Sequence, residues 1–313
     1  MPDIHPIDID TDRPLPRRQA PQPRLPRANR PKFGLFDTLW IALLTVLSLG
    51  VAFRTVGFSP NTTGGLISAA GTVMALYLLG WKIRDRAAGL GAGLLAATSL
   101  PFLHLCAREP QSALFMLLTT CALFAFVAGS SLAALALAAG AAFVRPDGLL
   151  LGLLLGGLSI VQRRKRSIYG AALFLAALPA IWAAQIALGQ RSLLLPRLGL
   201  HTEAIHFLAV PASLLILWFL LPLFAEISEP MRRARWAPVM LWGLLTLGVD
   251  MVYAPVSPAA MTLPLIAALY ALGGGGISRL LPTLTGEIPR PFLRYALAAL
   301  AVLTLVGLHN RLE

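Results

Sequence analysis

A few positions in this chain combine basic and acidic side chains in patterns that could do chemistry. The first is Arg145-Pro146-Asp147-Gly148, set between the apolar runs 131–144 and 147–161. A guanidinium bonds two phosphate oxygens at once, so Arg145 is a candidate clamp for a lipid phosphate. Proline with two charges also stops a helix, and the charges are costly in lipid unless paired or solvated. A local Arg145–Asp147 pair capping a short turn is therefore the competing reading. Arg108 and Glu109 form a second adjacent pair, and Arg54 follows the first apolar run. Asp250 is the one acid clearly inside an apolar run, and a carboxylate there is a functional candidate by default. General-base catalysis needs a carboxylate within hydrogen-bond reach of the acceptor.

The elements that must position these residues follow from composition. Of 313 residues, 57% are hydrophobic and only 13% charged, with a mean hydropathy of +0.74. Soluble domains carry about 25% charged residues. Apolar segments lie at roughly 35–53, 64–81, 87–105, 111–128, 131–144, 147–161, 168–188, 207–225, 236–254, 258–273 and 291–308. At about 20 residues per transmembrane helix, eleven spans use about 220 residues and leave about 93 for a tail and short loops. The expected fold class is all-α: a polytopic transmembrane helical bundle of about 11 helices. Two domains are expected, a Pro/Arg-rich cytoplasmic tail over 1–32 and the transmembrane domain over 33–313. The tail has too little apolar content to fold alone, and no signal-peptide-like apolar stretch precedes the first helix core.

The net charge of +12 would suit a nucleic-acid binder if it formed one patch, but the basic residues fall in short clusters between apolar runs. With the amino terminus inside, 20 Lys/Arg lie on the cytoplasmic side and six outside: Arg54, Arg108, Arg145, Arg191, Arg197 and Arg311. That asymmetry obeys the positive-inside rule, and no nucleic acid is expected as a partner. The expected location is the inner (plasma) membrane, multi-pass, with the carboxy terminus outside. Arg-over-Lys usage with abundant Ala and Leu points to a GC-rich bacterial source. Four of the five histidines (His104, His201, His206, His309) share the outer face with the six arginines. They lack ligand spacing, so neither a metal nor another cofactor is expected. Residues 189–206 mix leucines with basic groups, as a stretch lying in the interface plane does. Cys106 and Cys121 read as packing residues. Glycines 148, 152 and 156 line one stripe where a neighbouring helix can approach. Gly273 to Gly276 reads as a flexible helix end, and Asn61-Thr62-Thr63 matches the glycosylation sequon on an outer loop.

Several stretches together resemble the GT-C superfamily of integral-membrane glycosyltransferases, which includes protein mannosyltransferases and aminoarabinose transferases. They are F-V-R-P-D-G-L-L (143–150), H-L-C-A-R-E-P-Q-S-A-L-F (104–115), L-I-S-A-A-G-T-V-M-A-L-Y-L-L-G-W (66–81) and V-Y-A-P-V-S-P-A-A-M-T-L-P-L-I-A-A-L (252–269). The likeness spans about 35–275. It implies a GT-C-like bundle that moves a sugar from a polyprenyl-phosphate donor on the outer membrane face. Arg145, with Arg108 or Arg54, would hold the phosphate, and Asp147, Glu109 or Asp250 would act as base. The family's large, acidic first outer loop has a short counterpart here, within A-F-R-T-V-G-F-S-P-N-T-T-G (52–64), with no acid. That loop keeps a second reading open, a non-catalytic subunit or scaffold of the same fold in a larger membrane complex. A transporter is a third reading, without the internal repeat or paired broken helices transporters often show. Expected partners are membrane lipid, a polyprenyl-phosphate sugar and other membrane subunits.

Overall fold

A computed structural model describes residues 34–56, 59–145, 147–161, scattered helical positions between 169 and 183, 230–252 and 258–285. Among the described residues there are nine helices and no strands: α1 (Leu35–Thr55), α2 (Pro60–Ile83), α3 (Arg86–Thr98), α4 (Leu100–Arg108), α5 (Pro110–Ala128), α6 (Ser131–Val144), α7 (Gly148–Val161), α8 (Pro230–Val252) and α9 (Pro258–Thr285). The tail 1–32, the segments 207–225 and 291–308, and the stretch 189–206 lie outside the described residues. The chain divides into two units, Met1–Thr38 and Leu39–Glu313. In the first, the Gly34 amide donates to Asp37 Oδ2 at 3.0 Å as α1 begins. The rest of α1 and every later helix belong to the second.

Local sequence explains where the helices start and stop. Pro60 opens α2 behind Ser59, whose side chain accepts from the Thr62 amide while Thr62 reaches back, a reciprocal capping box. Asp85 caps α3 by accepting the Ala88 amide at 2.9 Å. α5 ends at Gly129, whose φ of 94° lies in the left-handed region that glycine enters without steric cost. Asn61 of the sequon therefore sits in the first turn of α2 and not in a loop.

Among the described residues, four helices are long and apolar enough to cross a membrane: Leu35–Arg54, Thr62–Ile83, Pro110–Ala128 and Leu263–Leu280. The bent pair α3–α4 brings the total to five if it counts as one span. The described residues thus form helices and no strands, and their apolar helices are those of a multi-pass membrane protein. The run 87–105, expected as one span, is broken by a 64° bend between Thr98 and Leu100. Ser99-Leu100-Pro101 accounts for it. Pro101 has no N–H to bond the preceding turn and its ring crowds the carbonyl four residues back, while Ser99 caps α4 by accepting the Phe102 amide at 3.4 Å. The α6 and α7 helices are separate and pack against each other as a hairpin. Each has 14 residues and so measures about 21 Å along its axis.

The core sits among α2, α3, α5 and α9, with α6 on α5, α7 on α6, and α8 against both α9 and α7. Its largest fully buried side chains include Tyr77, Phe102, Phe115, Trp236 and Trp242. Phe102 and Tyr270 meet edge to face, ring centroids 5.9 Å apart, the arrangement that aromatic quadrupoles favour. α3 packs flush on α9 because both lines of contact carry glycine. A Cβ on Gly274 would come 2.3 Å from the Ala88 carbonyl oxygen and 2.5 Å from the Ala92 amide nitrogen. This packing also explains why Gly273 to Gly276 does not end the helix: α9 runs on through them to Thr285, 12 residues past the expected end at 273, with Gly274 held under α3. Outward faces stay apolar, with Leu39, Leu43, Val46 and Phe53 of α1 exposed, as a helix facing hydrocarbon requires.

Candidate functional site

The α6–α7 turn is built from the sequence outward. α6 ends where the Arg145 amide donates to the Ala141 carbonyl at 2.9 Å, and Arg145 itself is extended, φ −145° and ψ 139°. The chain then reverses: the Gly148 amide donates to the Arg145 carbonyl at 3.0 Å, and the Leu150 amide to the Asp147 carbonyl at 3.0 Å. A Cβ at position 148 would lie 2.3 Å from the Ala142 nitrogen, so only glycine lets the turn close. Tight closure aims both charged side chains toward the helices behind them.

The two charges meet. Arg145 Nη2 donates to Asp147 Oδ2 at 2.5 Å, and the side chains keep only 14% and 11% of their exposure. At that burial a lone charge would be expensive, and pairing offsets much of the desolvation. The Arg145 guanidinium also lies over the Phe115 ring, 4.8 Å from its centroid, a cation–π contact. Beside the pair is a hollow of about 10 Å³ lined by Phe115 of α5, Leu150 of α7, Trp242 and Thr246 of α8, and Pro264 of α9. That volume holds roughly one water molecule. Thr246 Oγ donates back to the Trp242 and Gly243 carbonyls, each at 3.0 Å. The hollow is therefore apolar and aromatic apart from the Thr246 hydroxyl and one ion pair.

Of the six sequence candidates, the structure brings Arg145 and Asp147 together. Glu109 comes to the same end of the bundle: it joins α4 to α5, and Gln111 Nε2 donates to the Val144 carbonyl at 2.9 Å, tying the α5 start to the α6 end. Glu109 is half-buried and is not part of the hollow's wall. Arg108 and Arg54 are exposed, at the ends of α4 and α1. Asp250 falls on α8 beside Val249, which does line the hollow; the Asp250 side chain lies outside the described residues. Among the described residues, no group of three or more His, Cys, Asp or Glu side chains could hold a metal ion. His104 is half-buried on α4, while His201, His206, His309, Arg191, Arg197 and Arg311 lie outside the described residues.

Sequence reasoning missed the residues that complete both polar spots. Phe115, Trp242 and Thr246 belong to long apolar stretches whose inward faces no local pattern marks. At the opposite end of the bundle, Arg84, Asp85 and Ser278 form a knot. Arg84 Nε donates to Asp85 Oδ2 at 3.3 Å and to Ser278 Oγ at 2.9 Å. The Ser278 hydroxyl donates to the Asp85 carboxylate, 2.8 and 2.7 Å from its two oxygens. This knot fastens the α2–α3 turn to α9 across 193 residues of sequence. No family model matches the chain, and no curated protein matches it.

Proposed function

We propose that this chain is a GT-C-like integral membrane protein of about eleven helices that holds a lipid-linked phosphate at the α6–α7 tip and transfers a sugar from a polyprenyl-phosphate donor on the outer membrane face. One observation carries the reading: a guanidinium fixed at a helix-hairpin tip, backed by Phe115 at 4.8 Å and joined to a carboxylate that a stronger anion could displace. Phosphate offers Arg145 two oxygens in a fork that matches its geometry. When phosphate takes Arg145, Asp147 is released as the nearest candidate base for an acceptor hydroxyl. Glu109 at the same end is the second candidate. The test is retention of polyprenyl phosphate by the purified full chain. Arg145→Ala should abolish it, and unchanged retention would remove the phosphate role.

A second reading is a non-catalytic subunit or scaffold of the same fold. The small hollow, about 10 Å³, and the already satisfied Arg145–Asp147 pair favour it. The two readings part on turnover. Release of sugar from a polyprenyl-phosphate sugar by the isolated chain, lost in Asp147→Asn, supports the transferase. Co-purification in a stoichiometric membrane complex, with no turnover by the chain alone, supports the scaffold.

A further inference from the structure

The hollow beside the Arg145–Asp147 pair says more about the head group than that it carries phosphate. We propose that the α6–α7 tip takes a phosphate–ammonium zwitterion, the head group of an ethanolamine phospholipid, with the phosphate on Arg145 and the primary ammonium on Asp147. This rests on the phosphate role of Arg145 proposed above and names a phospholipid that would occupy the same tip in place of the polyprenyl-phosphate donor.

Charge balance is the first argument. Arg145 and Asp147 keep 14% and 11% of their side-chain exposure. A ligand that is only an anion takes Arg145 and leaves the shielded Asp147 carboxylate without its cation until an acceptor hydroxyl reaches it, which costs affinity. A zwitterion exchanges charge for charge. Its phosphate replaces the carboxylate at Arg145, its ammonium replaces the guanidinium at Asp147, and no charge is orphaned.

Size is the second. The hollow of about 10 Å³ admits a group the size of one water. A primary ammonium fits beside Asp147 in that space, whereas a trimethylammonium could sit only at the hollow's open mouth. The lining is the third. Trp242, 1% exposed, forms part of the same wall as Asp147, and an indole ring is the best aromatic surface for a cation. Finally, the hairpin that carries the tip displays apolar side chains, with Phe143 and Leu153 exposed at 44% and 46%. Such a surface suits acyl chains better than water.

The experiment measures retention of defined lipids by the full chain in detergent. The panel holds phosphatidylethanolamine, phosphatidylglycerol and phosphatidylcholine of identical acyl chains, polyprenyl phosphate, and free phosphoethanolamine. The expected result for the wild type is retention of phosphatidylethanolamine about tenfold over phosphatidylglycerol and phosphatidylcholine, the scale of one charge-assisted contact. Asp147→Asn should erase the preference over phosphatidylglycerol, and Arg145→Gln should lower retention of every phospholipid. Polyprenyl phosphate or phosphatidylglycerol held at least as well as phosphatidylethanolamine, yet lost in Arg145→Gln, overturns the zwitterion and leaves the phosphate reading standing. Retention of every lipid unaffected by Arg145→Gln overturns both. Equal retention of phosphatidylcholine overturns the size argument, and binding of free phosphoethanolamine with no lipid retained overturns the lipid source. The wild-type panel needs no substitution, so it decides the matter even if a variant fails to fold.

Discussion

At the α6–α7 tip, Arg145 and Asp147 carry opposite charges in a place with little water, and each makes the other tolerable. Removing one should therefore hurt more than removing both. Arg145→Leu and Asp147→Leu should each lower stability, by up to about 3 kcal/mol because the pair is not wholly buried. The double variant should recover most of that loss, since it leaves no orphaned charge. Thermal unfolding of the four proteins in one detergent checks this; a double variant as unstable as the sum of the singles would show that the pair is not the source. The pair was legible in the sequence, since two opposite charges around a proline leave few alternatives to a local turn. Its surroundings were not. Phe115 and Trp242 sit in apolar runs where a residue facing lipid and a residue facing a neighbour look alike. Nothing in either run says that Phe115 lies beneath a guanidinium.

Between elements, the decisive contacts are made by what is missing from glycine. Gly274 lies against backbone atoms of α3, whereas a Cβ on Gly243 of α8 would meet side-chain atoms, the Ala268 Cβ at 3.3 Å and the Leu265 Cδ1 at 4.0 Å. Gly274→Ala should thus lower the Tm clearly, on the scale of about 1–3 kcal/mol for an overpacked core, and Gly243→Ala far less. Equal effects would mean that α3 can slide off α9 freely. The apolar runs at 35–53, 64–81 and 111–128 correspond to α1, α2 and α5 within a few residues. Hydropathy is sufficient there because each run is bounded by charge, proline or glycine. It fails at 87–105 and 258–273, where the outcome depends on Pro101 and on a partner helix. Hydropathy averages over both. A four-glycine run looks like a helix end until α3 is placed against it.

For the whole molecule, composition alone pointed to helices that cross a membrane, and the described helices agree. The sidedness inferred from the basic clusters has a direct check. In a background with Cys106 and Cys121 replaced by serine, Thr62→Cys should react with an impermeant maleimide added outside intact cells. Arg163→Cys should react only after permeabilisation, and the reverse pattern would invert the topology. The Arg84–Asp85–Ser278 knot was beyond sequence reasoning, because Asp85 and Ser278 are 193 residues apart and only a folded bundle makes them neighbours. The shortness of α6 and α7 carries one more consequence. Helices of about 21 Å do not match a hydrocarbon core of about 30 Å, and a short span is accommodated by local thinning of the bilayer. Set in a bilayer, a hairpin this short should dimple the leaflet beside it, which would bring head groups toward the depth of Arg145 without their leaving the monolayer.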